Sequence, residues 1–361
     1  MTTYLLAGGG TAGHVNPLLA VADRLEADDP SASVLVLGTR EGLEARLVPD
    51  RGYELLTIDR LPFPRRPGRA LVSFPGRFRR AVRQTEGYVR DRGVDVVVGV
   101  GGYASAPAYR AARRLGIPLV IHEANARPGL ANRLGARYTR LVGTVFRGTR
   151  LPHASVVGMP LRLEIERLDR AASRPEAIEF FGLDEGKRTL LVTGGSTGAR
   201  SINRAVFDGI APILDAGWQV LHIAGNGSEL PESPFPSYHI ITYCDRMDLA
   251  IAVADLAIAR SGAVTVSEFA ATGLPAVFVP YPVGNGEQRY NAADAVAAGG
   301  AILVNDADFT PAWITSTLAP LLRDDARLTA MASAMVAVGS RDGSERMVAL
   351  VRGATSNMIT R

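Results

Sequence analysis

The stretch LLAGGGTAGHVNP, from Leu5 to Pro17, sets glycines at positions 8, 10 and 13 directly before His14. A glycine-rich turn between an apolar run and a helical pattern can present backbone N–H groups to a phosphate, and this spacing is literally the dinucleotide fingerprint G-x-G-x-x-G. His14 stands at the entry to the helix, whose dipole is expected to keep the imidazole neutral and able to act as a general base. Three more small-residue turns follow apolar runs, at 101–105, 194–199 and 261–265. In RSGAVTVSEFAATGLP, the turn from Ser261 through Gly262, Ala263, Val264 and Thr265 is expected to cap a helix and hold a diphosphate. Glu268, near the face of Val264 and Thr265, can then accept from both hydroxyls of a ribose. YPVGNGEQRYNA offers Asn285, Glu287, Gln288 and Asn291 to sugar hydroxyls, because an amide both donates and accepts. In HEAN, His122 ends an apolar run and reads as structural, whereas Asn125 is better placed for a ligand.

A nicotinamide dinucleotide is the rival ligand. It calls for an acidic residue at the end of the second strand, where LGTREG instead sets Gly38, Thr39 and Arg40; the arginine leaves an NADP-binding oxidoreductase open. That reading explains neither the repeated turns nor His14.

These turns need strands and helices to position them. Apolar runs at 4–7, 34–37, 94–100, 118–122 and 140–142 predict strands of a first half, and runs at 189–193, 219–224, 239–242, 255–259, 276–280 and 301–304 those of a second. Apolar on both faces, they fit parallel strands covered by helices, so the fold class is α/β, doubly wound and present twice. Two echoes support the duplication: LLAGGGTAGH with LLVTGGSTGAR, and the segment from Asp95 with that from Asp255. Each segment of the second pair closes on Gly-x-Pro, a helix stop followed by a strand. The strand pattern lapses near 160–168, and the helical spacing of 344–355 suits packing back on the first half.

At 361 residues the chain fits two domains of ordinary size. Its one cysteine, Cys244, excludes an intrachain disulfide framework and a cysteine-cluster zinc site, and fits a reducing compartment. Neither a signal peptide nor a membrane-spanning run is expected. Net charge is only +4, yet seven arginines and no acidic residue lie between Arg65 and Arg83, interleaved with Leu71, Val72, Phe74 and Phe78. Such a segment suits an anionic surface, nucleic acid or acidic lipid, or else forms a solvated face.

GGGTAGHVNP, GGYASAP, HEAN, GMPLR, GGSTGA and ARSGAVTVSEFAATGLPAVFVPYP…EQRYNA, in order from Leu5 to Asn291, together resemble the MurG-type N-acetylglucosaminyltransferases of peptidoglycan synthesis. The resemblance implies the GT-B fold, two Rossmann-like domains facing a cleft, with no cofactor and no metal. It implies inverting transfer of N-acetylglucosamine from UDP-N-acetylglucosamine to the C4 hydroxyl of muramoyl-pentapeptide on undecaprenyl pyrophosphate, giving the complete lipid-linked disaccharide. The site is then the cytoplasmic face of the cell membrane, held peripherally, with no nucleic-acid partner. Residues 1–162 become the acceptor and membrane-side domain, with 342–361 packed back on it, and 163–341 the UDP-sugar domain.

Residue by residue, Ser196, Gly262, Ala263, Val264 and Thr265 match the family's diphosphate contacts and Glu268 its ribose contact. Cys244 and Met247 match positions around the uracil. Asn125, Gln288 and Asn291 match sugar contacts, and Arg162 an arginine close to the nucleotide. Gly10, Thr11, Ala12, Gly13, His14 and Tyr103 fall on the acceptor side, with His14 as the catalytic base. Arg77, Phe78, Arg79 and Arg80 become the membrane contact. The chain departs from the family pattern at Ala12, Ala124, Thr197 and Glu287; alanine at position 12 restricts positive φ and is expected to reshape the first turn. Another UDP-sugar enzyme of the same fold, a 2-epimerase or a glycolipid transferase, remains the alternative alongside the NADP enzyme.

Overall fold

The computed structural model describes residues 1–10, 12–64, 68–228, 233–283 and 285–359, with the side chains of Ala12 and 356–359 outside the description. The chain divides into two compact units, Met1–Arg162 with Asp342–Arg361, and Leu163–Arg341.

The first unit is a parallel sheet of seven strands: β1 (Thr3–Ala7), β2 (Ser33–Gly38), β3 (Glu54–Thr57), β4 (Val96–Gly99), β5 (Leu119–Glu123), β6 (Leu141–Thr144) and β7 (Ala154–Val156). Their spatial order is β3-β2-β1-β4-β5-β6-β7. The second is a parallel sheet of six: β8 (Arg188–Thr193), β9 (Trp218–Ile223), β10 (Tyr238–Ile241), β11 (Ala254–Ala259), β12 (Ala276–Phe278) and β13 (Ala301–Leu303), in the order β10-β9-β8-β11-β12-β13. Each sheet reverses direction once at its centre, between β1 and β4 in one unit and between β8 and β11 in the other. That reversal opens a crevice beyond the carboxyl ends of the two central strands.

The apolar runs correspond to these strands because both faces are buried. β1, β4 and β5 are buried throughout, and only Arg188 at the start of β8 is partly exposed. β3 and β7, which no apolar run predicts, are edge strands; β7 is exposed along its whole length. An edge strand needs no continuous apolar run.

In the first unit one face is packed by Val15, Leu18, Val21 and Leu25 of the helix Ala12–Asp28 and by Met347, Val348 and Val351 of the helix Gly343–Ile359. On the other, Ala104, Ala108 and Tyr109 pack with Ala81 and Val89 of the helix Arg69–Asp91. In the second unit Ile202 and Val206 share a core with Ile314, Leu318 and Met331. The Gly-x-Pro stops behave as their composition dictates: Gly116 and Gly273 end their helices in the left-handed region at φ 71° and 69°. No helix among the described residues is long and apolar enough to cross a membrane.

Candidate active site

All four small-residue turns lie beyond the strands that flank the two central reversals, two in each unit. In the first unit the turn after β1 packs directly on the turn after β4. A Cβ on Gly102 would lie 2.5 Å from the carbonyl oxygen of Gly9, and one on Gly8 would lie 2.4 Å from a methyl of Val100. These glycines are required by protein contact, with backbone at Gly102 and with a side chain at Gly8, before any ligand is considered. Ser105 ties the pair together, its hydroxyl lying 2.8 Å from the Ala7 carbonyl and 2.6 Å from that of Gly101.

Gly9 and Gly10 carry the positive φ of the first turn, at 137° and 99°, and Ala12 already opens the helix Ala12–Asp28. The expectation that alanine at position 12 reshapes the turn is therefore corrected, because the strained backbone falls on glycines. Thr11 lies outside the described residues. Tyr103 stands beside Gly10, 3.7 Å from where a Cβ would be, and the Arg60 guanidinium lies over the Tyr103 ring at 4.9 Å. Gly13 is exposed.

His14 sits in the first turn of its helix, half-buried, with its ring edge against Gly101. Burial holds its pKa below the ordinary imidazole value, and the Glu44 carboxylate opposes that shift. The direction agrees with a neutral base, although the leading cause is desolvation. Behind it His122 is fully buried; Nε2 donates to the Gly158 carbonyl at 3.0 Å. Burial pulls its pKa to about 4, so His122 is a neutral, structural histidine.

Glu123, which follows, is the group that sequence reasoning passed over. Its buried carboxylate accepts from the Asn125 and Gly129 amides, each at 2.9 Å, and from Asn132 Nδ2 at 2.9 Å. Burial raises its pKa and those bonds counter the rise. Tyr109 donates to Asn132 Oδ1 at 2.5 Å, extending the network through the core. Asn125 is thereby fixed by its own backbone amide, half-buried beyond β5. Arg40, the residue an NADP site needs, is instead directed at Thr57, Nε donating to Oγ1 at 3.2 Å.

In the second unit the helix Ala263–Thr272 begins at Gly262, whose extended backbone carries no side-chain cap. Ser261 therefore does not cap it, correcting the expected start; its hydroxyl is fully buried with no partner among the described residues. The first intrahelical bond runs from the Val266 amide to the Gly262 carbonyl at 2.9 Å, so the amides of Ala263, Val264 and Thr265 have no intrahelical partner. That is the arrangement an anion needs. Glu268 lies one layer down, 6% exposed.

Ser196 and Thr197 are exposed on the turn after β8. That turn packs backbone to backbone on the next, where a Cβ on Gly225 would lie 2.2 Å from Gly198 Cα. Cys244 and Met247 are partly exposed just after β10, with Met247 opening the helix Met247–Val253. Gln288 Oε1 accepts from the Tyr281 amide at 2.9 Å and closes that loop. Asn291 is fully buried and donates to the Ser261 carbonyl at 3.2 Å, so the structure sets it beneath the turn. Arg162 is partly exposed at the end of the first stretch of unit one.

Two devices in this unit left no motif to find. Arg260 donates to the carbonyls of Val279 and Pro280 at 3.0 and 3.2 Å and pairs with Asp306, which also accepts from Ser201 at 2.7 Å. One cation thus fastens the ends of three strand-to-helix turns. His222 Nε2 donates to Asn203 Oδ1 at 3.1 Å and Nδ1 accepts from Tyr238 at 2.7 Å, a tautomer fixed by Asn203 donating to the Ala224 carbonyl.

The arginine-rich segment forms the first half of the helix Arg69–Asp91. Arg77, Arg79 and Arg80 are exposed and Phe78 half-buried, while Arg65 and Arg66 lie outside the described residues. Phe63 meets Phe74 edge-on and Phe74 stacks on Phe78, with centroids 5.4 and 5.9 Å apart, and Val72 is 83% exposed. Arg77 also donates to the Arg60 carbonyl at 2.8 Å.

Comparison with known proteins agrees with this division. The glycosyltransferase family 28 N-terminal domain matches residues 4–144 and the family 28 C-terminal domain residues 189–347. The UDP-N-acetylglucosamine–N-acetylmuramyl-(pentapeptide) pyrophosphoryl-undecaprenol N-acetylglucosamine transferase of Leifsonia xyli is 65% identical over 352 residues, 98% of each chain. The protein of the same name from Streptomyces coelicolor is 50% identical over 96% of each. The crystal structure of Acinetobacter baumannii MurG superposes with a TM-score of 0.78 at 27% identity, covering 98% of this chain and 100% of that one. A UDP-GlcNAc 2-epimerase from Neisseria meningitidis, at 14% identity and a TM-score of 0.69 over 98% of this chain and 100% of its own, shares the fold.

The buried histidines set a pH dependence. His222 is pulled to about 3 and His122 to about 4 by burial, below the 6.5 of an unfolded imidazole. The unfolded chain therefore binds more protons, and their contribution to stability is complete above pH 6.5 and lost as pH falls towards those values. Each contributes a slope of about 1.4 kcal/mol per pH unit where fully differential. Urea denaturation between pH 6.5 and 4 is expected to show His222→Gln with a shallower fall than wild type by about one proton's worth; an identical slope counts against it.

Proposed function

The chain belongs to the MurG family of N-acetylglucosaminyltransferases, with the two domains of glycosyltransferase family 28, and from that premise we propose that it transfers N-acetylglucosamine from UDP-N-acetylglucosamine to muramoyl-pentapeptide on undecaprenyl pyrophosphate. The observation that carries this is the relatedness along nearly the whole chain, joined to an uncapped helix N-terminus in the second unit and a neutral histidine beside paired glycine turns in the first.

The acceptor's C4 hydroxyl gives its proton to His14 as its oxygen attacks the anomeric carbon. The bond from that carbon to the diphosphate breaks, and the electron pair leaves on UDP. Attack opposite the leaving group inverts the centre. The amides of Ala263, Val264 and Thr265, with Ser196, stabilise the charge developing on the diphosphate through donors already in place, which avoids reorganisation during reaction. Glu268 accepts from the ribose; Cys244 and Met247 border the uracil; Asn125, Gln288 and Arg162 serve the sugar nucleotide. Asn291 acts from beneath by holding the Ser261 carbonyl. Tyr103, Gly10 and Gly13 face the acceptor.

The acceptor's lipid requires approach to a bilayer. The exposed arginines and the phenylalanine row of the helix Arg69–Asp91 support peripheral binding at the anionic cytoplasmic face, arginine to headgroups and aromatic edges below them.

His14→Ala is expected to lower turnover by about 10²–10⁴-fold with UDP affinity intact, measured by product analysis with a lipid-linked muramoyl-pentapeptide; near-wild-type turnover removes His14 from the base role. Glu268→Ala is expected to weaken UDP in calorimetry, and an unchanged affinity contradicts the ribose contact. Reversing Arg79 and Arg80 to glutamate is expected to abolish sedimentation with vesicles containing anionic lipid, and undiminished binding shifts the membrane contact elsewhere.

A further inference from the structure

Glu44 opens the short helix Glu44–Asp50 and is 1% exposed, yet it makes no ion pair with a neighbouring cation among the described residues. Its partners are all donors. Oε2 accepts from the Gly10 amide at 2.7 Å; Oε1 accepts from the Thr39 amide at 2.9 Å and the Thr39 hydroxyl at 2.7 Å. Three donors converging on one side chain call for an acceptor-only carboxylate.

The surroundings are cleared for it. A Cβ on Gly9, Gly38 or Gly42 would lie 2.3, 2.6 or 2.0 Å from Glu44 atoms, so glycines from three separate segments make the room that the carboxylate fills. It sits behind the first turn and bridges that turn to the end of β2. The Gly10 amide is consequently committed to a group of the chain itself.

Among the titratable groups that act on His14 are Glu44, from the helix Glu44–Asp50, and His122, itself neutral, on β5. Arg60, which acts on Glu44 and Glu41, is drawn onto the Tyr103 ring. Among the described residues Glu44 is an anion that acts on His14.

We propose that Glu44 is a positioning residue for sugar transfer: its buried carboxylate fixes the first glycine-rich turn and supplies a charge that acts on His14 as it takes the acceptor proton. This rests on His14 being the base. The carboxylate does not touch the acceptor; it stabilises the imidazolium that forms and holds the turn from which the histidine's helix begins. A glutamine has one acceptor oxygen and cannot serve Gly10 and Thr39 together, so it loses both the charge and part of the fastening.

The test uses the full-length enzyme with UDP-N-acetylglucosamine and the lipid-linked acceptor, following kcat against pH. Glu44→Gln is expected to lower kcat by about 10–100-fold, the scale of a misplaced catalytic group, with calorimetric affinity for UDP unchanged. Because removing the carboxylate lowers the His14 pKa further, the acidic limb of the profile is expected at lower pH than in wild type. Glu44→Asp keeps the charge on a shorter stem and stands in where the glutamine variant does not fold: it is expected to lose kcat with its acidic limb in the wild-type position. An unchanged kcat in Glu44→Gln, a limb that stays put in it, or a limb that moves in Glu44→Asp overturns the proposal. His14→Ala, run alongside, separates the two readings, because wild-type turnover there overturns the base assignment itself.

Discussion

A parallel strand buried on both faces offers free backbone amides in one place, beyond its carboxyl end, and every candidate functional group in this chain depends on that constraint. Each sheet reverses its winding at the centre, so the two central strands send their chains in opposite directions and leave a crevice between the departing turns. Side chains in those turns would close it. The approach of Gly9 to Gly102 in one unit and of Gly198 to Gly225 in the other leaves no volume for a Cβ. Glycine is demanded here by backbone contact, and the opportunity to bind a ligand follows from it.

What each unit does with its exposed amides then separates the two sites. In the first, side chains of the chain itself take them: Glu44 holds Gly10, and Glu123 holds Asn125 and Gly129. Negative charge lies behind the first turn, which is what the role proposed for His14 as a base asks for. In the second, no side chain caps the helix that begins at Gly262, and its first amides have no intrahelical partner, as the proposed diphosphate site requires. Arg260 and Asp306 neutralise one another while fastening the neighbouring turns. Stiffness there is obtained without spending the amides.

The sheet interiors were legible in the sequence because a strand covered on both faces must be apolar along its length, as β4 and β12 are. β3 and β7 left no such trace, for a strand at an edge is free to carry polar residues on its open side. The four turns and His14 were legible for the same local reason, small residues between a strand and a helix. The groups that hold them were not. Glu44 meets Gly10 across 34 positions and Asp306 meets Arg260 across 46, and a buried, satisfied carboxylate has the same one-letter spelling as a solvated one. Asn291 shows the converse: its residue type fits a sugar contact, yet tertiary packing puts the amide to work on the Ser261 carbonyl. The basic and aromatic segment was visible from composition, whereas the row of three phenylalanines needed the helix and the loop before it to be brought together.

The literal G-x-G-x-x-G at the start of the chain shows why spacing alone does not name a ligand. Gly8 answers to Val100, Gly9 to Glu44 and Gly10 to Tyr103, which are protein neighbours. A dinucleotide site asks the end of the second strand for a carboxylate directed outward to a ribose, with the turn amides left for the pyrophosphate. Here the carboxylate near that strand end, Glu44, is directed inward and takes the turn amide itself, while Arg40 is directed at Thr57. A backbone shape shared with nucleotide-binding turns is thereby committed, at Gly10, to an internal anion.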